Sequence, residues 1–296
     1  MLDAALVLGA LLLTLITPFA LMAILPLIFG IPHVLGDLRH LIVRRGLLSR
    51  PGLLLLAGLP ITGAYLGIGP LLTAPVMAGA VLGGRADWLR KLLLLLCIGL
   101  IGYGIYRLGT LGSLIFLQAH NLVALLLWSL WQSASHKRKV ILITLITLAS
   151  LVIFSGLADG LLGQSFASTV QGKVFGDIAS WFFQDNLRFS ERLAAFFCFA
   201  QMMHYLVWLK WFPQDDQDSD EPRHFMAFSR DLGAPLVQFS LMATLGLAIW
   251  GSVDTWEARA LYLKLAAFHG YIEYAALALL ATEGWQNITP KFNSKK

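Results

Sequence analysis

The strongest constraint on this chain is its succession of long apolar runs, separated by short clusters of arginine and lysine. A bilayer core about 30 Å thick needs about 20 consecutive apolar residues in a helix. Within that core every backbone N–H and C=O must be satisfied by an intact helix or a closed barrel. The runs are continuous rather than alternating, and apolar all round rather than striped, which favours helices over a β-barrel. Of 296 residues, 57% are hydrophobic and 13% charged, with a mean hydropathy of +0.72. Soluble domains carry about 25% charged residues. The expected fold is an all-α, polytopic transmembrane helix bundle of about eight or nine spanning helices, one integral-membrane domain over residues 1–296.

Residues 2–30 form the first run, with Pro18 and Pro26 inside it as points where the helix kinks or breaks. Arg39, Arg44, Arg45 and Arg50 follow. Residues 53–69 and 70–84 read as two short spans or one kinked excursion, and Arg85, Arg90 and Lys91 come next. Spans at 92–106 and 111–131 lead to His136-Lys137-Arg138-Lys139, and a span at 140–158 follows. Residues 159–188 are expected as an external loop with an interfacial helix at Trp181, Phe182 and Phe183. After a span at 189–212, residues 213–231 form a hydrophilic loop, and spans at 233–250 and 258–281 close the chain. Basic clusters mark cytoplasmic loops, so the sequence predicts the N-terminus outside and the C-terminus cytoplasmic, in a bacterial inner membrane. The net charge of +5 is thereby a topology signal, and no nucleic-acid partner is implied; the expected partners are the bilayer and an apolar small molecule. Cys97 and Cys198 lie in apolar runs and read as reduced packing residues.

Ionisable side chains inside spans are costly and need a partner or a task. His33, His120, His204 and His269 each fall in a different apolar run. Taken singly, each reads as a helix-to-helix hydrogen bond. Together they read as a shared metal or haem site, because neutral imidazole is the commonest protein ligand for iron, copper and zinc. Asp37 lies four residues after His33, and Glu273 four after His269, on the same helical faces. They are candidates for orienting an imidazole or completing the ligand set. His40, at i+7 from His33, is a further candidate that sits close to the arginine cluster. His136 and His224 lie in hydrophilic segments. Met203, Trp208 and Tyr271 are candidates for lining a pocket for an elongated apolar substrate.

The motif Gly30-Ile31-Pro32-His33-x-x-x-Asp37, Phe197-Cys198-Phe199 before His204, and His269 with Glu273 together resemble the Brp/Blh-type β-carotene 15,15'-dioxygenase family of membrane enzymes. The resemblance implies a non-haem Fe(II) held mainly by histidines, in a bundle that admits a long polyene and O₂. His33 and His204 carry over best as ligands, with His120 standing for the family's middle histidine. The family's middle His-Phe-Gly motif is absent. Trp208 stands where its late second histidine would be, and Glu273 is one residue nearer to His269 than the family's acid. The leading expectation is a histidine-ligated iron oxygenase acting on a carotenoid, isoprenoid or other apolar substrate. The alternatives are a b-type haem protein for electron transfer, a centre of another transition metal, and a transporter or assembly factor whose buried His, Asp and Glu groups relay protons or pair helices.

Overall fold

The computed structural model describes residues 2–63, 72–131, 136–166, 187–215 and 224–284. These residues are almost wholly helical, with no strand among them. We number the helices α1 (Leu2–Ile16), α2 (Pro18–Asp37), α3 (Pro51–Thr62), α4 (Thr73–Gly83), α5 (Trp88–Leu108), α6 (Thr110–Leu130), α7 (His136–Ser155), α8 (Asp159–Phe166), α9 (Leu187–Leu206), α10 (His224–Leu232), α11 (Ala234–Val253) and α12 (Thr255–Glu283). Helix α2 continues as a π-helical turn over Leu38–Val43, and α9 as one over Val207–Trp211 followed by Phe212–Asp215. Among the described residues, seven helices are long and apolar enough to cross a membrane, with α1, α3 and α4 as shorter apolar companions. The all-helical membrane architecture read from the sequence is therefore present.

Local chemistry sets several boundaries. Asp87 caps α5 by accepting from the Arg90 N–H at 2.9 Å. Asp254 caps α12 by accepting from the N–H groups of Trp256 and Glu257 at 3.1 and 3.0 Å. Gly109 and Gly284, at φ 55° and 76°, end α5 and α12 in a backbone region that residues with a Cβ avoid. Pro51 and Pro60 both lie within α3. Close packing of α3 on α4 depends on Gly79, where a Cβ would collide with the backbone of Leu56.

The first apolar run is broken, one of the two outcomes its prolines allow, whereas the end of the bundle at which it starts departs from expectation. Pro18 disfavours the helical region for Thr17, which sits at φ −139° and ψ 51°, so the run breaks there into α1 and α2. Asp3 then pairs with Arg138 at 2.9 Å and Lys210 at 3.4 Å. The start of α1 is thus at the same end of the bundle as the basic segments, not opposite them. That end also holds Arg138–Asp215 at 2.9 Å, the Arg45 guanidinium 3.8 Å over the Trp131 ring, and Arg39–Asp231 at 2.8 Å. Burial raises the Asp231 carboxyl pKa, but hydrogen bonds from Arg230 and Arg39 outweigh it and hold the value below the usual range. The opposite end carries Asp159, paired with Arg192 at 2.6 Å, and the Asp254 cap.

Other expectations shift as well. Residues 213–215 are still helical, and Asp215 accepts from the Trp128 indole at 2.9 Å rather than lying in a loop. Residues 224–231 are helical too. Trp181, Phe182 and Phe183 lie outside the described residues, as does most of the 159–188 segment. Cys97 is exposed on α5, whereas Cys198 is buried and donates to the Pro18 carbonyl at 3.2 Å; neither forms a disulfide.

The end of α12 is fastened by Glu283, which is buried and accepts from Arg50 at 2.5 and 3.1 Å and from the Arg85 backbone N–H at 2.7 Å. Removing one member of a buried pair leaves an uncompensated charge, at a cost of about 3–5 kcal/mol. Glu283→Ala is accordingly expected to lower the unfolding midpoint in detergent by that equivalent. A midpoint unchanged from wild type would show that the pair is not integral to the fold.

Candidate metal centre

Four helices bring four imidazoles into one cluster. His33 comes from α2, His120 from α6, His204 from α9 and His269 from α12. Ring centroids lie 4.8 Å apart for His33–His269, 4.8 Å for His120–His269, 5.0 Å for His33–His204 and 4.6 Å for His120–His204. The His204–His269 diagonal is 6.1 Å. Two sets of possible ligand atoms, His33/His204/His269 and His120/His204/Glu273, each fall within 4.8 Å. His33 and His204 are both 1% exposed, and His269 is half-buried.

The backbone decides which nitrogens are free. His33 Nδ1 donates to the Phe29 carbonyl at 3.1 Å, one turn back on its own helix. His269 Nδ1 likewise donates to the Ala266 carbonyl. A carbonyl can only accept, so both neutral rings carry the proton on Nδ1 and a lone pair on Nε2. Those two Nε2 atoms face one another at 3.1 Å, and His120 Nε2 is 3.0 Å from the same His269 atom. The first of these contacts has no proton to share. Both nitrogens of His204 are buried and have no hydrogen-bond partner among the described residues. A cation would remove the first problem and half of the second, since it takes one nitrogen of His204. Two imidazole donors at right angles, each about 2.1 Å from one ion, stand about 3.0 Å apart, which is the separation observed. The donor set therefore fits a transition-metal ion.

A carboxylate supports the cluster. Glu273, fully buried, accepts from the Trp208 indole N–H at 2.7 Å. Its other oxygen is 3.1 Å from His120 Nδ1, off ideal hydrogen-bond alignment, and its first is 3.6 Å from His204 Nε2. A proton held on His120 Nδ1 by this carboxylate leaves Nε2 as the donor, the usual arrangement for a ligating histidine. The Trp208 ring stacks on Phe212 at 4.4 Å and 7°.

Glycines make these approaches possible. At Gly36 a Cβ would stand 3.0 Å from the Trp208 carbonyl oxygen, and at Gly270 one would stand 3.1 Å from His120 Nδ1. At Gly30 it would overlap the Tyr262 ring. Gly30 and Gly36 flank His33, in the stretch where α2 carries Pro32 and then gives way to its π turn. The second π turn directly follows His204 on α9. Such turns are frequent at functional sites because they re-aim side chains.

The structure thus brings together His33, His120, His204, His269 and Glu273. Asp37 is also fully buried beside them, with neither oxygen hydrogen-bonded among the described residues. His40 belongs elsewhere. It is buried rather than loop-facing, 3.3 Å from Arg39 Nη1, with its ring 5.7 Å from Phe212 and outside both ligand sets. His136 is exposed at the start of α7. Met203 is core packing, and Trp208 binds Glu273. Tyr271 stacks on Phe116 at 5.5 Å. None of the three is in the walls of three apolar clefts that the described residues form along the bundle.

Sequence reasoning did not identify the Phe29 and Ala266 carbonyls as tautomer-setting groups. Nor did it identify Tyr205, whose ring lies 4.7 Å from that of His33. The carbonyls are legible only as positions one turn before each histidine. Tyr205 carries no sequence signal of its own. Comparison of the chain with protein-family models, with curated proteins and with solved structures finds no match.

Proposed function

We propose that the chain is a membrane-embedded, histidine-ligated non-haem iron oxygenase acting on an apolar substrate of the carotenoid or isoprenoid class. The observation that carries this reading is the approach of two unprotonated imidazole nitrogens, His33 Nε2 and His269 Nε2, to 3.1 Å in a buried site, with His120 Nε2 3.0 Å from the second. Bound iron would supply the redox chemistry with O₂. The chain's own part is to present the four imidazoles and to exclude water. The Phe29 and Ala266 carbonyls hold protons on Nδ1 of His33 and His269, and Glu273, 3.1 Å from His120 Nδ1, would do so for His120 in the metal-loaded site. Imidazole packing this close leaves no flat slot for a macrocycle between facing rings, which speaks for a bare ion over haem b.

The substrate side is placed at a cleft of about 290 Å³ whose walls include Ile98, Ile101, Ala119, Tyr274 and Leu277. Ala119 directly precedes His120, and Tyr274 directly follows Glu273. On the outside the cleft is bounded by α5, a helix whose leucines are largely exposed. With the basic rim facing the cytoplasm of a bacterial inner membrane, the start of α1 and the end of α12 both lie on that side.

Two measurements test the reading. Detergent-purified protein is expected to carry iron without a Soret band, and to cleave β-carotene, used as probe, in the presence of O₂. Ala119→Trp, which fills the cleft, is expected to keep the iron and lose at least about tenfold in turnover, the equivalent of 1.4 kcal/mol. A protein that binds no iron, or one with a haem spectrum, would overturn the proposal.

A further inference from the structure

Helices α2 and α12 both run toward the basic rim, and their facing residues keep one register. His33 meets His269 across a sequence separation of 236 residues. The same separation matches Asp37 with Glu273, one turn or about 5.4 Å further along both helices. Register thus sets an imidazole pair and then a carboxylate pair along the two helices, with Asp37 outside both ligand sets but within the field of Glu273.

The carboxylate pair is electrically incomplete. Asp37 and Glu273 are both 0% exposed, and each lies in the other's field. Neither Asp37 oxygen nor Glu273 Oε2 has a hydrogen-bond partner among the described residues. No lysine or arginine among them pairs with either carboxylate. The buried arginines nearby in sequence are committed elsewhere: Arg39 to Asp231 at 2.8 Å, and Arg259 to the Met22 carbonyl at 2.9 Å. Two buried carboxyl groups in one another's field cannot both be ionised unless a cation joins them. His204 adds a further clue, since it belongs to the all-histidine ligand set and also to the set containing Glu273.

We propose that Asp37 and Glu273 hold a second divalent cation beside the histidine centre, making the site dinuclear. Carboxylate oxygens select a hard ion such as Fe(II), Mn(II) or Mg(II), with water completing its shell. The inference rests on the reading of the four histidines as a metal centre.

The experiment is metal stoichiometry on the full chain in detergent, stripped with chelator and reloaded with Fe(II) under anaerobic conditions. Wild type is expected to bind two ions per chain, and Asp37→Asn one, held by the histidines. That retained ion also reports that the variant is folded. One ion per chain in the wild type overturns this proposal and leaves the histidine centre standing; so does Asp37→Asn with two. No bound ion in the wild type overturns both. If Asp37→Asn does not assemble, the wild-type count decides alone.

Discussion

His269→Ala is expected to abolish iron binding, lowering affinity by well over a hundredfold, with the helix bundle still assembled. His269 Nε2 is the atom that both His33 Nε2 and His120 Nε2 approach, at 3.1 and 3.0 Å. Removing it takes away the one donor common to both contacts. Loss of a partner that merely orients a ligand costs about 10–100-fold in metal affinity, so loss of the central ligand costs more. The bundle survives because His269 is only half-buried and packs no large core volume. Chelator-competition titration gives the affinity, and monodisperse elution in detergent reports assembly. A variant retaining wild-type affinity would mean that the four imidazoles are a helix-pairing network rather than a metal centre.

Glu273→Gln should weaken the same iron by about 10–100-fold. The amide oxygen still accepts from Trp208 at the position of the 2.7 Å bond. The anion beside His120 Nδ1 and His204 is lost, however, and His120 is freed to carry its proton on the nitrogen that should bind metal. Trp208→Phe acts one step further out: it leaves the carboxylate in place but without its indole donor. Its effect on affinity is expected to be smaller than that of Glu273→Gln. Equal effects of the two, or none from Glu273→Gln, would show that the carboxylate does not orient His120.

Much of the site was legible because its chemistry is so unlike its surroundings. Histidines, an aspartate and a glutamate in segments otherwise free of charge must be paired or put to use. His33 and Asp37, and likewise His269 and Glu273, could be assigned to shared faces from their i, i+4 spacing alone. His40 shows where this fails. The same helical spacing placed it with His33, but the π turn beginning at Leu38 intervenes, and its ring packs near Phe212 and Arg39 instead. Trp208 was noticed at i+4 from His204, yet periodicity could not distinguish a pocket wall from an indole bound to a carboxylate on another helix.

The topology divided along similar lines. Runs of apolar residues determined that the chain folds as a helical bundle, because a helix satisfies its own backbone whatever its neighbours do. The break at Thr17 and the return of α1 to the basic rim were settled by Pro18 together with the Asp3–Arg138 and Asp3–Lys210 pairs. These pairs join segments more than a hundred residues apart. By itself the sequence determined which side chains needed an explanation. Only the packing of α2, α6, α9 and α12 decided that four of them cluster, three of them nitrogen to nitrogen. That depends on helix register and on the Phe29 and Ala266 carbonyls, which every residue possesses and no residue type reveals.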